Sequence, residues 1–217
     1  MLNYKNGNKF YEGLLLNNQM NGYGTIYYDD GVTIKFEGYF KDNMYHGPGK
    51  AHRKNASKKF EGNFENGYYF GKGTYFYDNK YNSIKYEGNW RKSKYFGFGT
   101  RYYDHNSDQK NKLDELSKKS QEINSSKSKS GDYIKYIGNW ENDVKCGTGT
   151  TYNQNGFLEY RGQWKDDKYH GTGIKHFCHK GTTNNMLLWK SVPLHSGNFY
   201  KGNLSRFCRR YYTSNVK

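Results

Sequence analysis

The chain has 217 residues, a formal net charge of +15 and a mean hydropathy of −1.20, with only 33% of its residues hydrophobic. No apolar run approaches the roughly 18 residues that a membrane-spanning helix needs. A simple disordered chain is excluded as well, because 19% of the residues are aromatic, and 24 Tyr and 26 Gly carry the packing that Leu, Ile and Val supply in most domains.

The elements are set by a repeat. An aromatic residue stands two places before a glycine, and a Gly-x-Gly begins nine places after that glycine. Tyr11 and Gly13 lead to Gly22 and Gly24; Phe36 and Gly38 to Gly47 and Gly49; Phe60 and Gly62 to Gly71 and Gly73. Tyr86 and Gly88 lead to Gly97 and Gly99; Tyr136 and Gly138 to Gly147 and Gly149; Tyr160 and Gly162 to Gly171 and Gly173. A seventh start at Tyr200 and Gly202 has no Gly-x-Gly behind it, so the array is expected to end there in a degenerate repeat.

Each repeat reads as a β-hairpin. In its first half, period-2 alternation places Tyr86, Gly88 and Trp90 on one face, with the glycine as a gap between two rings. Phe36 and Phe40, Phe60 and Phe64, Tyr136 and Trp140, and Tyr160 and Trp164 repeat this arrangement. In the second half, alternation predicts that Gly71, Gly73, Tyr75 and Tyr77 share a side, leaving floor space for neighbouring rings. Asp42-Asn43, Asn66-Gly67 and Asp166-Asp167 are the residues a tight hairpin turn selects, and Asp30-Gly31 and Asn155-Gly156 mark turns between hairpins. One hairpin alone is marginal in water, so stability is expected to come from stacking hairpin on hairpin. The predicted fold class is therefore all-β, a linear array of stacked antiparallel hairpins. Trp90, Trp140 and Trp164 are expected to lie under or beside the repeat glycines.

Tyr86-Glu-Gly-Asn-Trp90, followed at fixed distance by Gly-x-Gly-Thr, resembles the MORN (membrane occupation and recognition nexus) repeat. The resemblance covers 10–104 as repeats 1 to 4 and 133–177 as repeats 5 and 6. It implies an elongated, twisted antiparallel sheet with an aromatic groove used for partner or membrane recognition, often with self-association, and no chemistry. On this resemblance the leading aromatics and Phe40, Phe64, Tyr75, Trp90, Trp140 and Trp164 are the candidate partner-binding residues.

Leading glycines are 25, 24 and 26 residues apart from Gly13 to Gly88, and then 50 apart from Gly88 to Gly138. The inserted segment, 105–132, is rich in Lys, Ser, Asn and Asp and reads as a solvated polar loop. Its apolar residues Leu113, Leu116 and Ile123 are too few to hold a helix without a partner. In the last segment, 178–217, Met186 to Trp189 and Val192 to Leu194 read as an end cap for the array, with a partner-docking segment as the sharper alternative.

From Lys168 to Lys217 there is no Asp or Glu, and nine Lys or Arg residues concentrate positive charge there. Lys201, Arg206, Arg209 and Arg210 form the densest group and point to an anionic membrane leaflet or an acidic protein. Nucleic acid is disfavoured for lack of any binding signature. No leader or lipidation box is recognised, so a cytoplasmic location, peripheral at a membrane or cytoskeleton, is expected. Cys146, Cys178 and Cys208 suggest no disulfide framework.

Groups for catalysis are not found. His46, Cys146 and His170 fill one recurring position before Gly-x-Gly, and His176, Cys178 and His179 lack a second ligand pair at zinc spacing. Gly71-Lys-Gly73 is not followed by the Lys-Ser/Thr of a phosphate loop. No cofactor or metal is expected. The reading is a non-enzymatic scaffold that binds a protein partner, with anionic phospholipid and a homodimer as further expected partners. The alternative is a regulatory subunit docking on a separately encoded enzyme such as a lipid kinase or cyclase. Self-association is expected at the N-terminal edge of the array, which has no apolar cap.

Overall fold

The computed structural model describes residues 1–105, 107–118, 126–128, 131–183, 186–204 and 209–210, with the backbone alone described at 107, 177–194 and 209–210. The strands are β1 (Leu2–Asn3), β2 (Lys9–Leu16), β3 (Gln19–Tyr27), β4 (Ile34–Lys41), β5 (Met44–His52), β6 (Lys58–Glu65), β7 (Tyr68–Phe76), β8 (Ile84–Arg91) and β9 (Lys94–Tyr102). After a helix, α1 (Ser107–Ser117), come β10 (Ile134–Glu141), β11 (Val144–Tyr152), β12 (Leu158–Lys165), β13 (Lys168–Thr183), β14 (Met186–Tyr200), β15 (Asn203–Leu204) and β16 (Arg209–Arg210). The fold is all-β: strand order in the open antiparallel sheet is chain order from β1 to β15, and β16 pairs with β14. The chain divides into two compact units, 1–97 and 98–217. Among the described residues no helix is long and apolar enough to cross a membrane.

In the first unit, Gly13 pairs with Gly24, Gly24 with Gly38, Gly38 with Gly49, Gly49 with Gly62, Gly62 with Gly73, and Gly73 with Gly88. Glycine thus faces glycine from strand to strand, in one line across the sheet. The second unit repeats the line through Gly138, Gly149, Gly162, Gly173 and Gly197. Tyr11, Phe36, Phe60, Tyr136 and Tyr160 lie on this floor. A Cβ on Gly73 would stand 2.3 Å from Phe60 Cζ, and one on Gly149 would stand 2.3 Å from Tyr136 Oη. Only glycine admits rings this close.

The turns follow the expected chemistry. Asp42-Asn43, Asn66-Gly67 and Asp166-Asp167 have positive φ at both central residues, the geometry of a hairpin turn matched to strand twist. Lys92-Ser93 adopts it too, without the favoured residues.

Three expectations are corrected. First, the alternation of the second half is broken. Opposite Gly62-Asn63 the pairing jumps from Gly73 to Phe70, leaving Gly71-Lys72 as a bulge with Gly71 at φ +61°. Gly22, Gly47, Gly97, Gly147 and Gly171 carry the same positive φ, so these first glycines serve backbone conformation and the second ones serve space. Second, 105–132 is not simply a solvated loop. Helix α1 buries Leu113 against Tyr133 and Phe157, with Leu116 alongside, and these rings are the partner the apolar residues needed. Asp114 accepts hydrogen bonds from Lys127 Nζ (2.7 Å) and Tyr133 Oη (2.9 Å). Burial works against the charge, yet these bonds hold Asp114 below its usual range. Ile123 lies outside the described residues.

Third, the seventh start is not Tyr200 and Gly202. Gly197 stands opposite Gly173, and Phe199 fills the place of Trp164, with its edge toward Tyr160 at 5.3 Å. His195-Ser-Gly197-Asn-Phe199 is therefore the next Tyr-Glu-Gly-Asn-Trp, and Gly202 belongs to its turn at φ +87°. Met186 to Trp189 continue β14, paired along β13 from Thr183. Their side chains, which the cap reading concerns, lie outside the described residues, as do those of Arg206, Arg209, Arg210, Cys178, His179 and Cys208.

Candidate binding face and an opened slot

Most of the candidate aromatics are core. Tyr11, Phe36, Phe60, Tyr86, Tyr136 and Tyr160 are fully buried, and Phe40, Phe64, Trp90, Trp140 and Trp164 nearly so. Among the candidates only Tyr75 is partly exposed. Burial follows from the glycine floor below and a ring edge on either side. In the first unit Phe60 meets Phe64 at 5.1 Å and Trp90 at 5.4 Å, both edge-to-face. The tryptophans do lie beside the glycines: Trp90 Nε1 donates to Gly73 O (3.0 Å), Trp140 to Gly99 O (3.2 Å) and Trp164 to Gly149 O (3.2 Å). Where the leading ring is tyrosine its hydroxyl donates to the carbonyl three residues on, as in Tyr11 to Leu14, Tyr136 to Asn139 and Tyr160 to Gln163.

Among the rings that pack on the buried aromatics, the more accessible ones are residues that motif reading passed over. Nine residues after the leading ring, and two before Gly-x-Gly, stand Tyr45, Tyr69, Tyr95 and Tyr169, each half-buried. Each stacks flat on its leading aromatic: Phe36–Tyr45 at 3.9 Å, Phe60–Tyr69 at 3.8 Å, Tyr86–Tyr95 at 3.8 Å and Tyr160–Tyr169 at 3.9 Å. Burial pushes the phenols of Tyr45 and Tyr169 up to about 12. Their backbones are clasped by the next hairpin's turn: Gly67 N donates to Tyr45 O, Ser93 N to Tyr69 O and Gly202 N to Tyr169 O. In the first unit Tyr45, Tyr69, Tyr75 and Tyr95 thus present preordered, half-exposed rings. The signal in the sequence was the fixed offset of these tyrosines.

In the second unit one slot lacks its tyrosine. At the equivalent place in repeat 5 stands Lys145, clasped by the same turn bonds: its N–H donates to Asp167 Oδ1 (3.0 Å), and Asp167 N donates to its carbonyl (3.2 Å). Its ammonium sits over the rings of Trp164 (4.6 Å) and Tyr136 (5.6 Å), with Asp167 Oδ1 at 3.9 Å. Burial pushes Lys145 below its usual range; Asp167 and Glu159 oppose this, while Lys135 and Arg101 reinforce it. Lys135 is lowered for the same reasons, burial and then Arg101, and lies over Tyr103 at 5.4 Å. Around them is a cavity of about 490 Å³, within the usual range of ligand pockets.

Other chemical candidates gain little. Cys146 is a free thiol pushed up by burial and by Glu141, away from the thiolate. Among the described residues no three His, Cys, Asp or Glu side chains gather around a common metal position. Lys201 is exposed, its ammonium over Tyr200 at 5.4 Å.

A protein-family model described as MORN repeat matches six segments, 11–33, 36–57, 60–80, 86–106, 136–156 and 160–178. No curated protein matches the chain. The family segments begin at the leading aromatics, so the unit they detect is the hairpin with its ring seated on paired glycines. With these matches spanning more than half of its length, the chain belongs to the MORN repeat family.

Proposed function

We propose that the chain is a non-enzymatic scaffold that binds a protein partner across the half-exposed tyrosines of its first compact unit. The observation that carries the reading is the stack of Tyr45, Tyr69 and Tyr95 on buried rings, with Tyr45 and Tyr69 clasped from behind by the next turn. Rings immobilised before binding lose little conformational entropy on contact, and tyrosine offers both apolar area and a hydroxyl. Family membership supports the reading at the level of membrane or protein recognition.

The acid-free C-terminal stretch adds attraction to an anionic membrane or cytoskeletal surface. The outer edge of β2 beyond Tyr11, with Leu14 and Leu16 exposed, is the place for a homodimer contact. Affinity capture with the wild type and with a Tyr69→Ala/Tyr95→Ala variant tests the scaffold. The expected outcome is a partner retained by the first and lost by the second, with both folded. Equal capture by the two overturns the reading, and a single stoichiometric enzyme as the partner favours the regulatory-subunit alternative.

A further inference from the structure

We infer that the slot opened by Lys145 is a carboxylate site, which takes the acidic side chain of an Asp or Glu on a bound peptide segment. The inference deepens the scaffold reading and rests on it, but it concerns the second compact unit alone.

Four repeats fill this slot with a tyrosine stacked on the leading ring. Repeat 5 puts the Lys145 ammonium where those repeats put a flat ring, beside a cavity whose walls include Tyr136, Trp164 and Tyr169. A flexible ammonium supplies far less dispersion than a flat ring against a flat ring, so the substitution sacrifices packing. What it contributes is charge. Arg101, Lys135 and Lys145 converge on the cavity, and their attachments are weak. Arg101 Nε is buried with no hydrogen-bond partner. Lys135 and Lys145 rest on ring faces, and the nearest carboxylate oxygen to Lys145 lies at the outer limit of an ion pair, 3.9 Å. Desolvated cations held this way are costly unless an anion joins them.

The charge of the site selects the anion. Arg101, Lys135, Lys145 and Lys168 on its lining exceed Asp143, Glu159 and Asp167 by one. A single carboxylate brings that balance to zero, whereas a phosphate dianion overshoots it against three acidic neighbours. A carboxylate also accepts from a guanidinium and an ammonium at once, in short charge-assisted bonds. The volume exceeds a carboxylate alone and accommodates the side chain together with the flanking backbone.

The test is an NMR titration that follows the indole N–H signals of Trp140 and Trp164, both fixed to backbone carbonyls. The probe is N-acetyl-Val-Glu-Val-amide, with the Gln analogue, inorganic phosphate and phosphatidylserine vesicles as parallel arms. The Glu peptide is expected to give saturable shifts and to bind at least about tenfold more tightly than the Gln peptide, with Lys145→Tyr abolishing the difference. Lys145→Met, which removes the charge and keeps a slender side chain, does the same should the tyrosine variant misfold. Equal binding of the Glu and Gln peptides, an unchanged preference in both Lys145 variants, or shifts from phosphate or vesicles alone would overturn the carboxylate site. The Tyr69→Ala/Tyr95→Ala capture is read separately, on the other compact unit, so loss of the scaffold reading and loss of this site are distinct results.

Discussion

Gly149→Ala tests the packing of ring on glycine without disturbing the backbone, because Gly149 does not have the left-handed φ that only glycine accepts readily. The new Cβ would stand 2.3 Å from Tyr136 Oη and 2.5 Å from Cε2 and Cζ, closer than side-chain carbons come in folded proteins. The ring cannot retreat downward, since Gly138, paired with Gly149, closes the floor. Tyr136 must swing out, losing its bond to Asn139 O (3.0 Å) and its edge contacts with Trp140 (4.8 Å) and Trp164 (5.3 Å). Overpacking costs about 1–3 kcal/mol, the hydrogen bond about 1 and the ring contacts about 0.5–1.5, giving a loss of roughly 3–5 kcal/mol. In urea this lowers the unfolding midpoint by about 1 M or more. Gly67→Ala is the control: its φ is +82° and nothing lies within 4 Å of the added carbon, so only the left-handed backbone cost of about 1–2 kcal/mol applies. Truncating the ring with Tyr136→Ala should relieve the clash, so the double variant is more stable than the sum of the single losses by over about 2 kcal/mol. Additive losses, or a Gly149→Ala variant no weaker than Gly67→Ala, would refute the seated ring.

Other perturbations reach the remaining parts of the account. Leu113→Ala removes the centre of the contact between α1 and the rings of Tyr133 and Phe157, costing about 2 kcal/mol; amide exchange in 107–117 should quicken, and unchanged protection would return the segment to a solvated loop. Alkali should destabilise the fold. Burial raises Tyr45, Tyr133, Tyr160 and Tyr169 from 10.0 to about 12, so between these values the folded state holds protons that the unfolded chain has released, and stability is complete below pH 10 and lost as pH rises toward 12. Tyrosinate absorbance followed together with circular dichroism checks this, and phenols titrating near 10 in a folded chain would contradict it. Reversing Lys201, Arg206, Arg209 and Arg210 to Glu takes the acid-free stretch from +9 to +1 and should abolish salt-sensitive co-sedimentation with anionic liposomes; a wild type indifferent to them at low salt removes the membrane proposal.

The repeat was legible because its constraints are local. A glycine pair and a ring two residues away leave a spacing that survives every other substitution, and the turns declare themselves by Asn, Asp and Gly. Contacts that join distant segments were not legible. Leu113 looks stranded because its partners lie beyond the inserted segment, Tyr133 just past its end and Phe157 just before β12. The seventh start was displaced because His195 stands where a tyrosine or phenylalanine is expected, and an extended pair of strands separates it from repeat 6. The stacking tyrosines are hard to single out in a chain of 24 Tyr, where only their constant offset from the leading ring marks them. Lys145 stands out only once the slot it occupies is seen filled by a ring in four other repeats.

The claim that matters most is that a partner lies on the tyrosine face of the first unit. A photo-cross-linking amino acid placed at Tyr69 reports on that face. One at Lys72 reports on the opposite face, because Lys72 pairs with Asn89, next to the inward Trp90. The account predicts that irradiation joins the partner to position 69 and not to position 72; cross-linking at 72 with none at 69 would contradict it.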